Sequence, residues 1–427
     1  MSTRRRRPAS IAGPPTARGA QRTEPVESFR TRARRWLKEN LPPAPQNYRW
    51  YGDDAQWPRA RELQKILYEG GFAGICFPRE YGGLGLTAAH QRAFTEESMG
   101  YEMPLSLNVP TFSICSPTIL DLGTEEQKRK HIPAVLKGEE VLVQFLSEPK
   151  GGSDLAALTT RADRDGDVWI LNGSKIWSTF AFAADYALCL ARTDWDAPKH
   201  RGLTMFLMPV HTEGVTIKRI RQTNGSEEFC QEFFDNVVLP ADSVLGEVNG
   251  GWAVASRQLF HERNAVGGGS PYVSGARPRG GGEVTDLVDL AQRSGQLADS
   301  RVREDLGETR AMRLVEEQLI ARVTQAIKAG TMQPHASSIL RLFHAETVWQ
   351  QVDAALRIAG AVGVAGAPGH EQEQGEVGED YIYRQASGLG GGSTEMARNI
   401  ISERVLGMPR EYAADRDVPF RQVKTGR

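Results

Sequence analysis

The stretch Val141-Leu142-Val143-Gln144-Phe145-Leu146 is where the chain changes period. On its N-terminal side, apolar residues recur at helical spacing: Phe29, Ala33, Trp36 and Leu37 form one set, Leu63, Ile66 and Leu67 another. On its C-terminal side, short apolar or β-branched runs follow at 168–171, 186–190, 203–208 and 215–220, separated by turn residues. Asp165-Gly166 and Asn172-Gly173 read as hairpin turns, because both dipeptides tolerate the positive φ that such turns demand. So many short strands at this spacing predict a compact sheet or barrel. After Gly250-Gly251 the helical period returns. Helices are expected at about 252–266, 306–329 and 336–358, the last carrying Val348, Val352 and Leu356 on one face. A Gly-rich loop from 360 to 392 then leads into a final helix at about 394–406. In the first half, the loop Tyr81-Gly82-Gly83-Leu84-Gly85 and an N-cap at Thr87 provide punctuation. The order is helices, sheet, helices.

This is an α+β multidomain chain. An N-terminal α-helical domain is expected at 26–139, a central β-barrel-like domain at 140–248 and a C-terminal helical bundle at 249–410. An Arg-rich tail at 1–25 and a second tail at 411–427 flank them. Fifty-two basic against 53 acidic residues leave a net charge of −1, which argues against a nucleic-acid partner. No apolar run approaches the roughly 20 residues that span a bilayer, so no membrane role is expected. Cys76, Cys115, Cys189 and Cys230 stand far apart, which disfavours a disulfide framework or zinc knuckle and fits a reducing cytoplasm. His261-Glu262 lacks the second histidine of a zinc-binding helix, and no metal site is expected.

A P-loop is absent. Gly388-Leu389-Gly390-Gly391-Gly392-Ser393 superficially matches a dinucleotide fingerprint, but Ser393 stands where the last glycine belongs and no βαβ unit surrounds it. A Gly-rich loop feeding a helix still exposes N–H groups to a phosphate or a carbonyl oxygen; taken alone, the segment reads as an ordinary capped helix. Ser147-Glu148-Pro149-Lys150-Gly151-Gly152-Ser153-Asp154 leaves an apolar strand with hydroxyls and flexible amides, and taken alone is an ordinary strand-to-loop exit. Trp177-Ser178-Thr179 ends another strand, where the Trp either packs into the core or needs a cover. Glu262 shares a helical stripe with Trp252, Ala255, Leu259 and Val266. Desolvation there raises a carboxyl above its reference of about 4.3 and makes a candidate general base. A salt bridge to an arginine on a neighbouring helix, or a stripe that reaches solvent, would explain it as well.

In this order and at these separations, four segments make the chain resemble the acyl-CoA dehydrogenases, a flavoenzyme family with helical, β and helical domains. They are Phe77-Pro78-Arg79-Glu80-Tyr81-Gly82-Gly83-Leu84-Gly85, Leu146-Ser147-Glu148-Pro149 with Gly152-Ser153-Asp154, Asn172-Gly173-Ser174-Lys175 with Trp177-Ser178-Thr179, and the stretch from Glu395 to Gly407. The resemblance covers about residues 28–410. It implies FAD, with Leu146, Ser147 and Ser153 against the flavin or its ribityl and phosphate groups, and Trp177 and Thr179 covering the ring. Ser393, Glu395 and Gly360 match further positions that touch FAD. It also implies dehydrogenation of an acyl-CoA to a trans-2-enoyl-CoA, with electrons passing to an electron-transferring flavoprotein.

Two departures qualify what the family implies. Many members carry the base as Glu in a Tyr-Glu-Gly-Thr motif; here the stretch reads Gly390-Gly391-Gly392-Ser393, so Gly391 can donate a backbone N–H but cannot take a proton. Other members place the base on the helix opening the C-terminal bundle, in a Glu-Arg pair that Glu262-Arg263 matches, which assigns Glu262 as base and Arg263 to the substrate. The Arg-x-Phe-Gly segment that usually reaches a neighbouring subunit's FAD is missing, and the Gln-x-x-Gly-Gly-x-Gly segment reads Arg357-Ile358-Ala359-Gly360-Ala361-Val362-Gly363. Some bacterial relatives with such changes work as two unlike subunits, so the partner is either a second copy or an unlike acyl-CoA dehydrogenase subunit. Competing readings are a non-catalytic partner subunit and a flavin monooxygenase on the same fold.

Overall fold

A computed structural model describes residues 23–44, 54–266, 269–275, 287–365 and 371–423. The arginines of the expected N-terminal tail, and most of the glycines at 267–282, lie outside the described residues. Helix α1 (Val26–Asn40) buries Phe29, Ala33 and Leu37, one residue per turn on a single face. That face packs with α2 (Gln56–Glu69) and α3 (Ala88–Ser98) around Phe72 and Phe94. Thr87 caps α3 as expected, in a reciprocal box with His90. Two more helices, α4 (Ser116–Leu122) and α5 (Glu125–Leu136), lead to the sheet. Gln127 on α5 donates to the Asp242 and Val244 carbonyls at 2.9 and 3.0 Å, tying the helices to the sheet.

The sheet comprises β1 (Leu142–Phe145), β2 (Arg161–Asp165), β3 (Val168–Thr179), β4 (Tyr186–Arg192), β5 (Leu203–Pro209), β6 (Val215–Arg219), β7 (Phe229–Pro240) and β8 (Val244–Leu245). Strand order is β6-β7-β3-β2-β4-β5-β8, and β1 lies parallel to β4. The end strands β6 and β8 do not pair with each other, so the sheet is open and the barrel-like expectation is corrected. At that edge β6 exposes Thr216, Lys218 and Arg219, a polar and charged row that discourages further pairing. Asp165-Gly166 does turn between β2 and β3. Asn172-Gly173 does not: it lies within β3, where Gly173, at φ 146°, accommodates a register shift against β7.

The C-terminal bundle holds α6 (Gly251–Val266), α7 (Leu287–Arg293), α8 (Ser300–Lys328), α9 (Ser337–Ala365), α10 (Glu371–Tyr383) and α11 (Thr394–Ile400). The loop expected from 360 to 392 is therefore largely helix. Strong helix formers such as Glu and Gln dominate the start of α10 and outweigh its glycines. Helix α9 passes through a kink at Gly360, whose φ 62° and ψ −151° are open essentially to glycine alone. Beyond α11 the chain returns to the sheet: Phe420 N–H donates to the Ala197 carbonyl at 3.0 Å, and its buried ring lies 3.5 Å from the Arg192 guanidinium. Among the described residues, no helix is long and apolar enough to cross a membrane and no cluster of side chains could hold a metal ion.

Candidate active site

The ends of β1 and β3 lie side by side. Ile176 N–H donates to the Ser147 carbonyl at 2.9 Å, joining the two segments that sequence analysis assigns to a flavin. Beneath them Lys175, with no exposed surface, donates to the Leu146 carbonyl and to Glu148 Oε1, both at 3.0 Å. Glu148 also accepts from the backbone N–H groups of Thr159 and Thr160, at 2.7 and 2.8 Å. Burial alone would push this carboxyl up, but Lys175 and these donors outweigh it and hold Glu148 at about 2. The loop that starts at Ser147 is thus anchored from within the protein.

Trp177 does not pack into the core. Its side chain is 54% exposed and its backbone sits at φ 65°, an uncommon place for a bulky residue. One edge contact, to Phe229 with centroids 5.9 Å apart, leaves most of the indole open. Strain and an uncovered aromatic ring at one residue point to a ligand surface. Around it Leu146 is buried, Ser147 and Thr179 are half-buried and Ser153 is exposed. An apolar face bordered by hydroxyls and backbone amides suits a flat ring with a polar tail. Under the same strand end, Ser178 donates to Glu232 Oε2 at 2.9 Å, and burial pushes the enclosed Glu232 up to about 7.

On α6 the buried positions are Gly251, Val254, Ala255, Gln258 and His261. This differs from the expected apolar stripe: Trp252 and Leu259 are half-buried and Val266 is exposed. Polar side chains occupy the deep face because they have partners there, His261 Nε2 meeting Asp121 Oδ2 at 2.8 Å and Gln258 Nε2 donating to Cys115 Sγ at 4.0 Å. Glu262 borders this face, where Gln144 on β1 donates from Nε2 to its Oε2 at 2.9 Å. Crowding by protein pushes the Glu262 carboxyl above the ordinary range; Gln144, Arg263 and Arg341 oppose that shift without cancelling it. Its hydrogen-bond partner is a neutral amide, not the arginine of the salt-bridge alternative.

Gly391 faces this carboxylate. A Cβ at Gly391, whose φ is +71°, would lie 3.6 Å from Glu262 Oε1, from Arg341 Nε and from Val266 Cγ2. Ser393 caps α11 by accepting from Met396 N–H at 3.2 Å. Glu395 is exposed in that first turn, its carboxyl held below the ordinary range by its own backbone N–H and by Ser393. Arg263, beside Glu262 in sequence, is half-buried, and burial lowers its guanidinium. The structure thus unites Glu262 with Gly391, and Leu146 and Ser147 with Trp177. Gly360 stands elsewhere, next to a separate core formed by Ile358, Leu287, Leu290 and Ala291.

Sequence reasoning missed Gln144 and Arg341. Each had a signal: one polar residue inside the apolar run 141–146, and one arginine among Ile339, Leu340, Leu342 and Phe343.

Family models match nearly the whole length: the acyl-CoA dehydrogenase N-terminal domain over residues 23–139, the middle domain over 144–237 and the C-terminal domain over 249–406. The chain belongs to the acyl-CoA dehydrogenase family, whose members are FAD-binding flavoproteins. The open indole and the hydroxyl-bordered face at the ends of β1 and β3 fit such a cofactor. Acyl-CoA dehydrogenase IpdE1 of Mycobacterium tuberculosis is 35% identical over 393 residues, covering 90% of this chain and 98% of that protein. The (2S)-methylsuccinyl-CoA dehydrogenase of Cereibacter sphaeroides is 30% identical over 80% of this chain and 64% of its own length. Among solved structures, the Tcur3481-Tcur3483 steroid ACAD superposes with a TM-score of 0.72 at 30% identity, covering 91% of this chain and 99% of that one.

Proposed function

We propose that this chain converts an acyl-CoA thioester to its trans-2-enoyl-CoA with Glu262 as the base, and that the electrons leave to an electron-transferring flavoprotein. The supporting observation is the meeting of Glu262 Oε1 with Gly391, the position that carries the base in many members of the family. An α-proton of a thioester is weakly acidic. It needs a base in a desolvated place and donors at the carbonyl oxygen where negative charge develops. Glu262 takes the proton as the α C–H bond breaks, and that electron pair enters the new α,β double bond while hydride leaves the β-carbon. FAD, when bound, supplies the acceptor for that hydride. The Gly391 N–H donates to the thioester oxygen, and Arg263 contributes to holding the substrate. Leu146, Ser147, Ser153, Ser393 and Glu395 hold the cofactor, while Trp177 and Thr179 cover its ring and exclude water.

A bulky acyl group, of the steroid-derived class, is favoured by the likeness to a steroid ACAD. An unlike partner subunit is favoured by two features of this chain: the missing Arg-x-Phe-Gly segment and the altered Gln-x-x-Gly-Gly-x-Gly segment at 357–363. The test is anaerobic flavin reduction by a panel of acyl-CoA thioesters, with and without the product of any adjacent related gene, using wild type and Glu262→Gln. Glu262→Gln should retain FAD and slow reduction by about 10²–10⁴-fold, the usual worth of a general base. Reduction at the wild-type rate in that variant would place the base elsewhere.

A further inference from the structure

Two side chains converge on Glu262 from other elements. Gln144 comes from β1, two residues before Leu146, and holds Oε2 at 2.9 Å, which leaves Oε1 as the oxygen facing Gly391. Arg341, near the start of α9, also borders Gly391. Its Nε and Glu262 Oε1 each lie 3.6 Å from the Gly391 Cβ point, so the two atoms are within about 7 Å of each other. Arg341 is 7% exposed. Nε and Nη2 both donate to the Gly390 carbonyl, at 3.1 and 2.5 Å, and the buried Nη1 has no hydrogen-bond partner. Arg341 forms no ion pair among the described residues, so its charge acts on Glu262 through space.

We propose that Gln144 and Arg341 are positioning residues for the base: Gln144 decides which carboxylate oxygen faces Gly391, and Arg341 fixes the turn carrying Gly391 while lending Glu262 a positive charge not committed to an ion pair. The proposal rests on Glu262 being the base. A carboxylate can rotate and offer either oxygen; a donor on Oε2 from a strand removes that freedom. The turn needs the same control, because Gly391 at φ +71° has no side chain to hold it, and two guanidinium bonds to the preceding carbonyl supply what is missing. The groups facing Glu262 are few. Arg263 comes from its own helix, Arg341 from α9, Gln144 from β1, and Cys115, whose thiol burial keeps protonated, from the segment before α4. Losing either Gln144 or Arg341 leaves burial less opposed, so Glu262 should hold its proton to higher pH.

The experiment is a difference-infrared titration of the full-length, FAD-loaded protein, following the C=O stretch of the protonated carboxyl that disappears in Glu262→Gln. Gln144→Leu should raise the midpoint of that band by about one to two pH units, the usual worth of a hydrogen bond to a charged group. Arg341→Gln should raise it too, and Arg341→Lys, which keeps the charge, should restore it. If Gln144→Leu does not fold, Gln144→Met, of similar length, gives the same reading. A Glu262 midpoint unmoved in folded Gln144 and Arg341→Gln variants overturns the proposal. Wild-type flavin reduction by Glu262→Gln overturns the assignment of the base instead, and the two failures are read by separate measurements.

Discussion

Glu262 Oε1 lies 3.6 Å from the point at which a Cβ on Gly391 would stand, and it reaches that point from α6. A base carried at 391 and one carried at 262 would therefore compete for one volume. The double variant Glu262→Gln with Gly391→Glu should recover part of the flavin-reduction rate lost in Glu262→Gln alone. Contacts at 3.6 Å leave room for a Cβ, but φ +71° costs an L-residue about 1–2 kcal/mol. Partial rescue with lowered thermal stability is thus expected in stopped-flow and melting experiments. A folded, FAD-loaded double variant without any recovery would show that the two positions do not share a role.

The rate of flavin reduction should rise with pH. Glu262 must be ionised to take a proton, and burial lifts its pKa above the ordinary 4.5. The midpoint of the rise should accordingly lie above 4.5. A rate that falls as pH rises through the carboxyl range would contradict a carboxylate base.

Glu232 makes stability depend on pH in the opposite sense to an ordinary ion-paired acid. Its pKa is about 7 in the fold against 4.5 for the free side chain. Between those values the native chain keeps a proton that the unfolded chain has lost, so stability falls as pH rises from about 4.5 to 7. The loss is on the order of 3 kcal/mol at 1.36 kcal/mol per unit. Glu232→Gln can still accept from Ser178 and cannot ionise. Its urea-unfolding stability should be flatter than wild type from pH 5 to 7.

Lys175→Met should be costly, because it leaves Glu148 buried without its cation. Removing one partner of a buried pair typically costs about 3–5 kcal/mol. The Leu146 carbonyl loses its donor at the same time, so FAD content should drop along with the melting temperature. Adding Glu148→Gln should return part of the stability. A Lys175→Met protein as stable and as yellow as wild type would remove the anchoring role.

Trp177→Ala should behave differently. The indole is mostly exposed, so its loss removes little packing from the ligand-free fold. The variant should melt near the wild-type temperature when stripped of FAD, yet release FAD more readily when loaded. Unchanged FAD content and absorbance would mean that Trp177 does not cover the ring.

Local patterns decided much of this protein. The face of α1, the cap at Thr87, the turn at Gly166 and the switch to strands near 141 depend on residues a few positions apart, and each was legible as periodicity or turn chemistry. The motifs from Phe77 to Thr179 and after Glu395 were legible in the same way, as short runs in order. Pairing over distance was not. Strand β2 reads as polar, with Arg161, Asp163 and Asp165 along it, and becomes a strand only through its partners β3 and β4. Whether the sheet closes depends on β6 and β8, which no local pattern relates. The stripe drawn through Glu262 missed the true buried face because Gln258 and His261 are admitted there by partners on other elements. The setting of Glu262 likewise depends on Gln144, 118 residues away on a strand, and on a glycine turn held by Arg341. Backbone propensity acts between near neighbours, whereas desolvation and hydrogen bonding at a site act between whatever the tertiary fold brings together; that is why the sequence singled out Glu262 as a candidate base and only the tertiary structure set its surroundings.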